Sequence, residues 1–143
     1  MKTQSTKLKK CLPVQDNPIV EYYKKIEKGE IIVSLKVKRI YKHITECLKK
    51  GDRFIYNKDR ADRAIDFIEK FCKHSKGKWG GQPITLELWQ KAFISALFGV
   101  VYKKTGQRRF KEALLVIGRK NGKSILASAI GLYMLVADGN VTQ

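Results

Sequence analysis

The sequence predicts an α/β protein in which a helical N-terminal region leads into an incomplete, three-layer domain built on a parallel sheet. Two observations support this fold class. Apolar residues recur at helical spacing in four successive segments of the front part. A β-branched and leucine-rich run, residues 113–117, is then followed by a glycine-containing loop and another amphipathic segment. A strand, a loop and a helix in this order are typical of sheets covered by helices.

The front of the chain predicts a flexible arm and two helices. Residues 1–16 are polar, basic and interrupted by Pro13, which indicates an unstructured basic arm. Pro18 suits the first turn of a short helix that Gly29 ends. A second helix begins after Ser34, a suitable N-cap. Its predicted buried stripe consists of Val37, Ile40, Tyr41, Ile44, Cys47 and Leu48.

Two more helices follow, separated by the helix-breaking stretch "KHSKGKWGGQP". Asp59 is the predicted cap of the third helix, whose buried stripe consists of Ala61, Ala64, Ile65, Ile68, Phe71 and Cys72. For the fourth helix, Thr85 is the predicted N-cap, Glu87 lies in the first turn, and Gly99 ends the helix. Its apolar face consists of Leu88, Trp89, Ala92, Phe93, Ala96 and Leu97.

Beyond this helix the pattern changes to two short strands joined by a turn at Thr105–Gln107. The second strand is predicted at Ala113–Ile117, and a last helix at Ile125–Val136. The run "YMLVAD" looks like a strand that ends in an acid, Asp138. It continues the last helix, however, so we interpret Asp138 and Gly139 as the end of that helix.

The charge of the chain indicates its class of partner, and its cysteines exclude two classes of small stabilised domain. The formal net charge of +17 over 143 residues favours a polyanionic partner such as nucleic acid or nucleotide, with a membrane surface as the competing partner. No apolar run reaches the roughly 18 residues of a membrane span, and no signal-peptide core precedes the first helix, so we expect a cytosolic protein. The cysteines and histidines are too scattered for a disulfide framework or a zinc site; they are Cys11, Cys47, Cys72, His43 and His74.

The stretch "GRKNGKS", Gly118–Ser124, has the composition of a phosphate-binding loop between a strand and a helix. Backbone N–H groups and the helix N-terminus present partial positive charge to phosphate oxygens, and Gly122 lets the backbone approach closely. Lys123 would reach the β and γ phosphates, and the Ser124 hydroxyl would bind Mg²⁺. Lys120 and Asn121 would contribute backbone N–H groups rather than side-chain chemistry.

This loop departs from the common phosphate-loop pattern. Ile117 stands where the first glycine is usual, and Gly118 follows one place later. A "GKS" tripeptide also occurs by chance, in which case Lys123 would be a solvated lysine in an ordinary turn. The apolar run before the loop and the amphipathic segment after it favour the phosphate-binding interpretation.

Several segments together resemble the large subunit of the terminase of tailed bacteriophages, from about Asn17 to the end of the chain. They are "NPIVEYYKKIEKGEI", "RAIDFIEKFCKHSKGKWGGQPITLELWQ" and "TGQRRFKEALLVIGRKNGKS". The family is an ATP-driven motor and endonuclease that packages viral DNA into procapsids. The resemblance implies an N-terminal part of its P-loop ATPase domain, with ATP and Mg²⁺ as cofactors. It also implies double-stranded viral DNA, a terminase small subunit, a portal protein and further copies of the chain as partners, in the host bacterial cytoplasm.

The resemblance also assigns roles to individual residues. Gln90, in the pair Trp89-Gln90, matches the family's adenine-recognition segment, and an amide side chain can pair with the adenine edge. Trp89 lies on the apolar helix face, which indicates a core residue. Arg119 occupies the place of a family arginine that senses the γ phosphate or acts as an arginine finger from the same chain. An arginine paired with a surface carboxylate is the alternative.

The domain organisation follows from this comparison. Residues 1–16 are the basic arm, residues 17–80 the helical region, and residues 81–143 the start of the ATPase domain, which we expect to stop before the acidic motif needed for hydrolysis. The chain alone is therefore expected to lack ATPase and endonuclease activity. A non-catalytic, basic nucleic-acid-binding fragment and a small P-loop kinase or ATPase are the alternatives.

Overall fold

The computed structural model describes residues 16–75 and 77–139. Apart from Asp16, the expected basic arm lies outside these ranges, as do Cys11 and residues 140–143. The described residues form a mixed helical and sheet structure. In chain order, its elements are α1 (Pro18–Glu27), α2 (Leu35–Lys50), β1 (Phe54–Tyr56), α3 (Lys58–Phe71), α4 (Leu88–Gly99), β2 (Val100–Tyr102) and α5 (Lys123–Val136).

The first two helices begin where local capping chemistry predicts. Pro18 occupies the first turn of α1, and the Asn17 side chain accepts a hydrogen bond from the backbone N–H of Ile19 at 3.0 Å. Ser34 caps α2, as the sequence predicts, and Gly51 ends it with a left-handed backbone at φ 62°. Both helix starts use a side-chain oxygen to accept an otherwise unpaired backbone N–H.

The apolar faces of α1 and α2 pack together and onto α4. Tyr22 and Tyr41 meet edge to face, with ring centroids 4.9 Å apart. The prediction for Ile40 is wrong, because its side chain is 55% exposed. The α2 face that contacts α1 is therefore narrower than the stripe in the sequence. The buried residues of this first cluster are Ile19, Tyr22, Tyr23, Ile26, Tyr41, Ile44, Ala92, Ala96 and Val100.

The caps of α3 and α4 differ from the predictions. Asn57, not Asp59, caps α3, and its side chain accepts from the N–H of Arg60 at 3.1 Å. Asn57 precedes the helix with an extended backbone, whereas Asp59 already lies in the first turn. Glu87, not Thr85, is the N-cap of α4, because the helix begins at Leu88.

Helix α4 is central to the fold, since it contributes to both hydrophobic clusters. Its small side chains contact α1, while Ile94 and Phe98 face α3 and α5. The predicted α3 stripe is largely confirmed, but Phe71, the last residue of that helix, is 69% exposed. The buried residues of the second cluster are Ala64, Ile65, Ile68, Cys72, Ile84, Leu86, Ile94, Phe98, Leu126, Ala129 and Tyr133.

The described residues contain a two-stranded antiparallel sheet in place of the predicted three-layer parallel sheet. β1 pairs with β2, and Ile55 lies opposite Val101. The first predicted strand is confirmed as β2, and its turn leads to an isolated bridge between Val101 and Arg108. The prediction of a strand at Ala113–Ile117 is wrong. No described strand pairs with this segment, so its backbone lacks the ladder hydrogen bonds that define a strand.

Helix α5 packs on α3 and α4 through one face only. Tyr133 contacts Phe98 edge to face at a centroid distance of 4.9 Å. Asp138 lies just beyond the helix, as predicted, where it is buried and pairs with Arg108 at 3.5 Å. Within residues 16–75 and 77–139, no helix has both the length and the apolar character to cross a membrane.

Candidate nucleotide-binding site

The loop Gly118–Gly122 contains two left-handed backbone positions, a feature that anion-binding turns share. Lys120 and Gly122 both have left-handed backbones, at φ 65° and 68°. Alternation of left- and right-handed residues turns successive N–H groups toward one point, which is the arrangement called a nest. Lys120 is the sole described residue other than glycine with positive φ. A lysine in this conformation is strained, and such strain clusters at ligand sites.

The N-terminus of α5 follows the loop directly. Lys123 is the first helical residue, and Gly122, as N-cap, has no side chain with which to accept a backbone N–H. The N–H groups of the first turn are therefore left for solvent or for a ligand. Ser124 is exposed one residue further on. A phosphate at this point would accept those N–H groups and meet the positive end of a 14-residue helix, so the loop fits such a group.

A cavity of about 420 Å³ lies beside the loop. Its volume is within the range of small-molecule sites. Three separate segments form its wall: the turn after α3, the start of α4 and the loop with the first turn of α5. The residues that bring both polar and apolar groups to this wall are His74, Trp79, Ile84, Leu86, Glu87, Trp89, Gln90, Lys120, Asn121, Gly122 and Ile125.

The structure brings the predicted adenine residue and the predicted phosphate loop together. A methyl group added to Gly122 would lie 4.0 Å from the Gln90 side-chain nitrogen. The Gln90 side-chain oxygen, however, accepts the backbone N–H of Glu87 at 2.8 Å, as part of the α4 cap. Its amide nitrogen is therefore the part of Gln90 that remains available to a base, whereas pairing of both amide atoms with adenine would break the cap.

Trp89 combines the predicted core position with a polar contact. Its ring packs against both hydrophobic clusters, which agrees with the core interpretation. Its indole N–H donates to the Glu87 carboxylate at 2.7 Å. Glu87 thus receives a hydrogen bond that fixes it at the rim of the cavity.

Sequence reasoning missed the wall formed by the turn after α3. It interpreted "KHSKGKWGGQP" as a helix breaker, but the backbone N–H of His74 donates to Gln82 at 3.0 Å and Gly81 donates to His74 at 2.8 Å. These bonds fold the segment back toward α4 and place Trp79, which is 57% exposed, beside the loop. A tryptophan among glycines was the signal that could have indicated a binding surface.

Arg119 and Lys123 are exposed and form no ion pair in the described part of the chain. The pairing of Arg119 with a surface carboxylate is therefore not observed there. Asp138 lies at the opposite end of α5, about 20 Å away along a helix that rises about 1.5 Å per residue. It cannot reach a metal ion at Ser124, in agreement with its interpretation as a helix-end residue.

The helix that carries Lys123 is anchored by a buried tyrosine. Burial raises the pKa of Tyr133, and the nearby Asp138 carboxylate raises it further. The hydroxyl therefore stays neutral across the physiological range. Leu126 and Ala129 are also buried, so one face of α5 fixes the direction of its N-terminus toward the cavity.

Comparison with known proteins shows what this part of the chain is similar to. Residues 88–143 match the family described as "Terminase large subunit, ATPase domain". The matched range begins at α4 and includes Gln90, the loop and α5. The resemblance to terminase large subunits is thus confirmed, and the chain is related to the ATPase-domain portion of such a subunit.

A named relative supports this assignment. The chain is 42% identical over 77 residues to "Terminase, large subunit" of Enterobacteria phage HK97. The aligned part is 54% of this chain and 14% of that protein, so the chain spans a small share of the relative's length. No solved structure is a significant match to the chain.

Proposed function

We propose that the chain is the N-terminal ATP-binding portion of a phage terminase large subunit, the motor and endonuclease that packages viral DNA into procapsids. Residues 17–80 would form its helical region and residues 81–143 the start of its ATPase domain. The intact protein would hydrolyse ATP with Mg²⁺ in the host bacterial cytoplasm. Its partners would be double-stranded viral DNA, a small subunit, a portal protein and further copies of itself.

One observation carries the proposal: the uncapped N-terminus of α5 opens onto the same cavity as Gln90. The phosphates would bind the N–H groups that follow Gly122, while the base would lie between the start of α4 and the turn that carries Trp79. A nucleotide needs both an anion site and an adjacent apolar wall, and these residues supply both.

The charged side chains of the loop complete this proposal. Lys123 would bind the β and γ phosphates, and the Ser124 hydroxyl would be a ligand of Mg²⁺. Arg119 would contact the γ phosphate and stabilise the charge that develops during transfer. Lys120 and Asn121 would contribute backbone N–H groups, and the Gly118 backbone would lie at the entrance to the loop.

Titration of a fluorescent ATP analogue into the chain tests the proposal. Lys123→Ala should abolish nucleotide binding, because it removes the side chain that would neutralise the β and γ phosphates. Lys70→Ala is the matched control, since it removes an equal charge from an exposed residue of α3. Unchanged affinity in Lys123→Ala, or equal losses in both variants, would contradict the assignment.

The net charge of +17 favours one alternative, a basic nucleic-acid-binding fragment that does not bind nucleotide. The same titration separates the two functions when it is paired with a DNA-binding measurement. Such a fragment would bind DNA at low salt and leave the ATP analogue free, whereas the proposed ATP-binding portion would retain the analogue in a Lys123-dependent manner.

A further inference from the structure

β2 and the backbone that returns to it at Arg108 form an antiparallel hairpin, and β1 lies beside it. Three cations here have no acidic partner in the described part of the chain. They are Arg53, which precedes β1, and Arg109 and Lys111, which follow β2; we call them the hairpin cation cluster. Lys25 and Lys70, by contrast, pair with Glu21 at 3.6 Å and with Asp66 at 3.5 Å. None of the cluster's side chains lies within 4.0 Å of a described carboxylate.

Aromatic rings hold the two arginines in place. The Arg109 guanidinium lies 4.1 Å from the centroid of the Phe54 ring, and the Arg53 guanidinium lies 5.6 Å from the same centroid. Arg53 also lies 5.6 Å from the Tyr102 ring. A cation beside an aromatic ring is attracted to the ring electrons and keeps its positive charge. Both guanidinium groups therefore lie beside the ring of Phe54.

Two like charges beside one ring repel each other, and the repulsion is relieved when an anion binds between them. Arg109 donates one bond to His43 at 3.1 Å, while another of its nitrogens is buried and has no hydrogen-bond partner among the described residues. The hairpin cation cluster therefore has the properties of an anion site.

The three cations surround an open depression of about 600 Å³. Polar side chains from the turn complete its wall, and Glu112 is the one acidic residue among the described residues that line it. The remaining wall residues are Tyr102, Thr105 and Gln107. An opening of this size on the surface accommodates a chain of charges rather than a single small ion.

We propose that the hairpin cation cluster is a contact site for the phosphodiester backbone of nucleic acid. A nucleic-acid strand carries one charge about every 3.4 Å along its axis, so neighbouring phosphates can meet neighbouring cations of the cluster. An acidic protein segment would need consecutive carboxylates, each on a flexible side chain that must be ordered on binding. The site is separate from the loop of α5, and binding at it does not depend on ATP.

Fluorescence anisotropy with a short labelled DNA duplex, in the absence of nucleotide, tests this site. The double variant Arg53→Gln/Lys111→Gln removes two cluster charges. Its slope of log affinity against log salt concentration should be shallower by about 0.9 for each phosphate that the variant no longer neutralises. The matched control, Lys25→Gln/Lys70→Gln, removes the same net charge from ion-paired residues and should keep the full slope.

Lys111→Gln alone separates binding from folding, because this exposed lysine forms no ion pair within residues 16–75 and 77–139. This variant should make the slope of log affinity against log salt concentration shallower by about 0.9. Equal reductions in the cluster variant and the control would mean that net charge alone governs binding, which overturns the site. A polyglutamate peptide that competes with DNA at equal concentration of charges, with the same dependence on Arg53 and Lys111, would identify an acidic protein partner and likewise overturn it.

Discussion

Gly99→Ala should destabilise the protein even though it replaces the poorest helix former other than proline with the best. Gly99 ends α4 where that helix crosses β1 and α3. An added methyl carbon would lie 2.7 Å from Cε2 of the Tyr56 ring and 2.9 Å from Cβ of Ala61. Favourable carbon contacts are about 3.5–4.0 Å long. Both neighbours are packed in the fold and Ala61 has no flexible end, so the helices must move apart.

The magnitude follows from two opposing terms. Overpacking of this kind costs about 1–3 kcal/mol. Alanine in place of glycine gains up to about 1 kcal/mol inside a helix, and less at its last residue. We therefore expect the free energy of unfolding to fall by about 1–2 kcal/mol, which urea denaturation followed by circular dichroism can measure.

Gly131→Ala is the matched control within the same chain. Gly131 lies inside α5, and nothing comes within 4 Å of a methyl group added there. The same substitution should raise the free energy of unfolding by about 1 kcal/mol. Opposite signs at the two glycines would support the packing of α4 on β1 and α3. Equal stability of Gly99→Ala and the parent, with an unchanged urea dependence, would refute it.

Three further predictions test individual contacts. Burial raises the pKa of Tyr56 to about 12. The neutral hydroxyl should therefore contribute its full stabilisation below about pH 10, and the free energy of unfolding should fall as the pH rises above that value. Tyr56→Phe should reduce this fall in unfolding curves measured at alkaline pH. Gln90→Ala removes the hydrogen bond to the Glu87 N–H and should cost about 1 kcal/mol in urea unfolding; an unchanged midpoint would exclude the cap. Asp138→Asn breaks the ion pair with Arg108 and should lower the free energy of unfolding by about 1–3 kcal/mol. The backbone amides of α5 should then exchange their hydrogens faster. Unchanged exchange rates would show that the pair does not anchor the helix.

Features set by neighbouring residues could be predicted from the sequence. Ser34 caps α2 because its own side chain satisfies the helix that follows, and Pro18 starts α1 because its φ is fixed. The proposed phosphate-binding loop has the same local character, since Gly122 and the start of α5 are adjacent in the chain. The caps Asn57 and Glu87 were not predicted. More than one residue near the start of each of these helices can act as an N-cap, and the residue at which the helix begins decides which of them does.

Features that depend on distant partners could not be predicted. β1 has three residues, too few for a periodic pattern, and it exists because β2 lies beside it. Ala113–Ile117 has the composition of a strand but no described partner, so composition alone was misleading. The cavity wall near Trp79 also depends on folding of the turn after α3 against α4. A tryptophan among glycines can indicate a binding surface, but it does not indicate which element that surface faces.

The central claim is that the residues following Gly118 hold the phosphates of a nucleotide, and backbone amide NMR tests it most directly. On addition of ADP with Mg²⁺, the largest shifts should fall on the amides of Gly122, Lys123 and Ser124, with smaller shifts at the Gln90 side chain. Lys123→Ala should remove these changes. Shifts spread over the lysine-rich helices α1 and α2, with the loop amides unmoved, would show that the nucleotide binds by charge alone and would contradict the account.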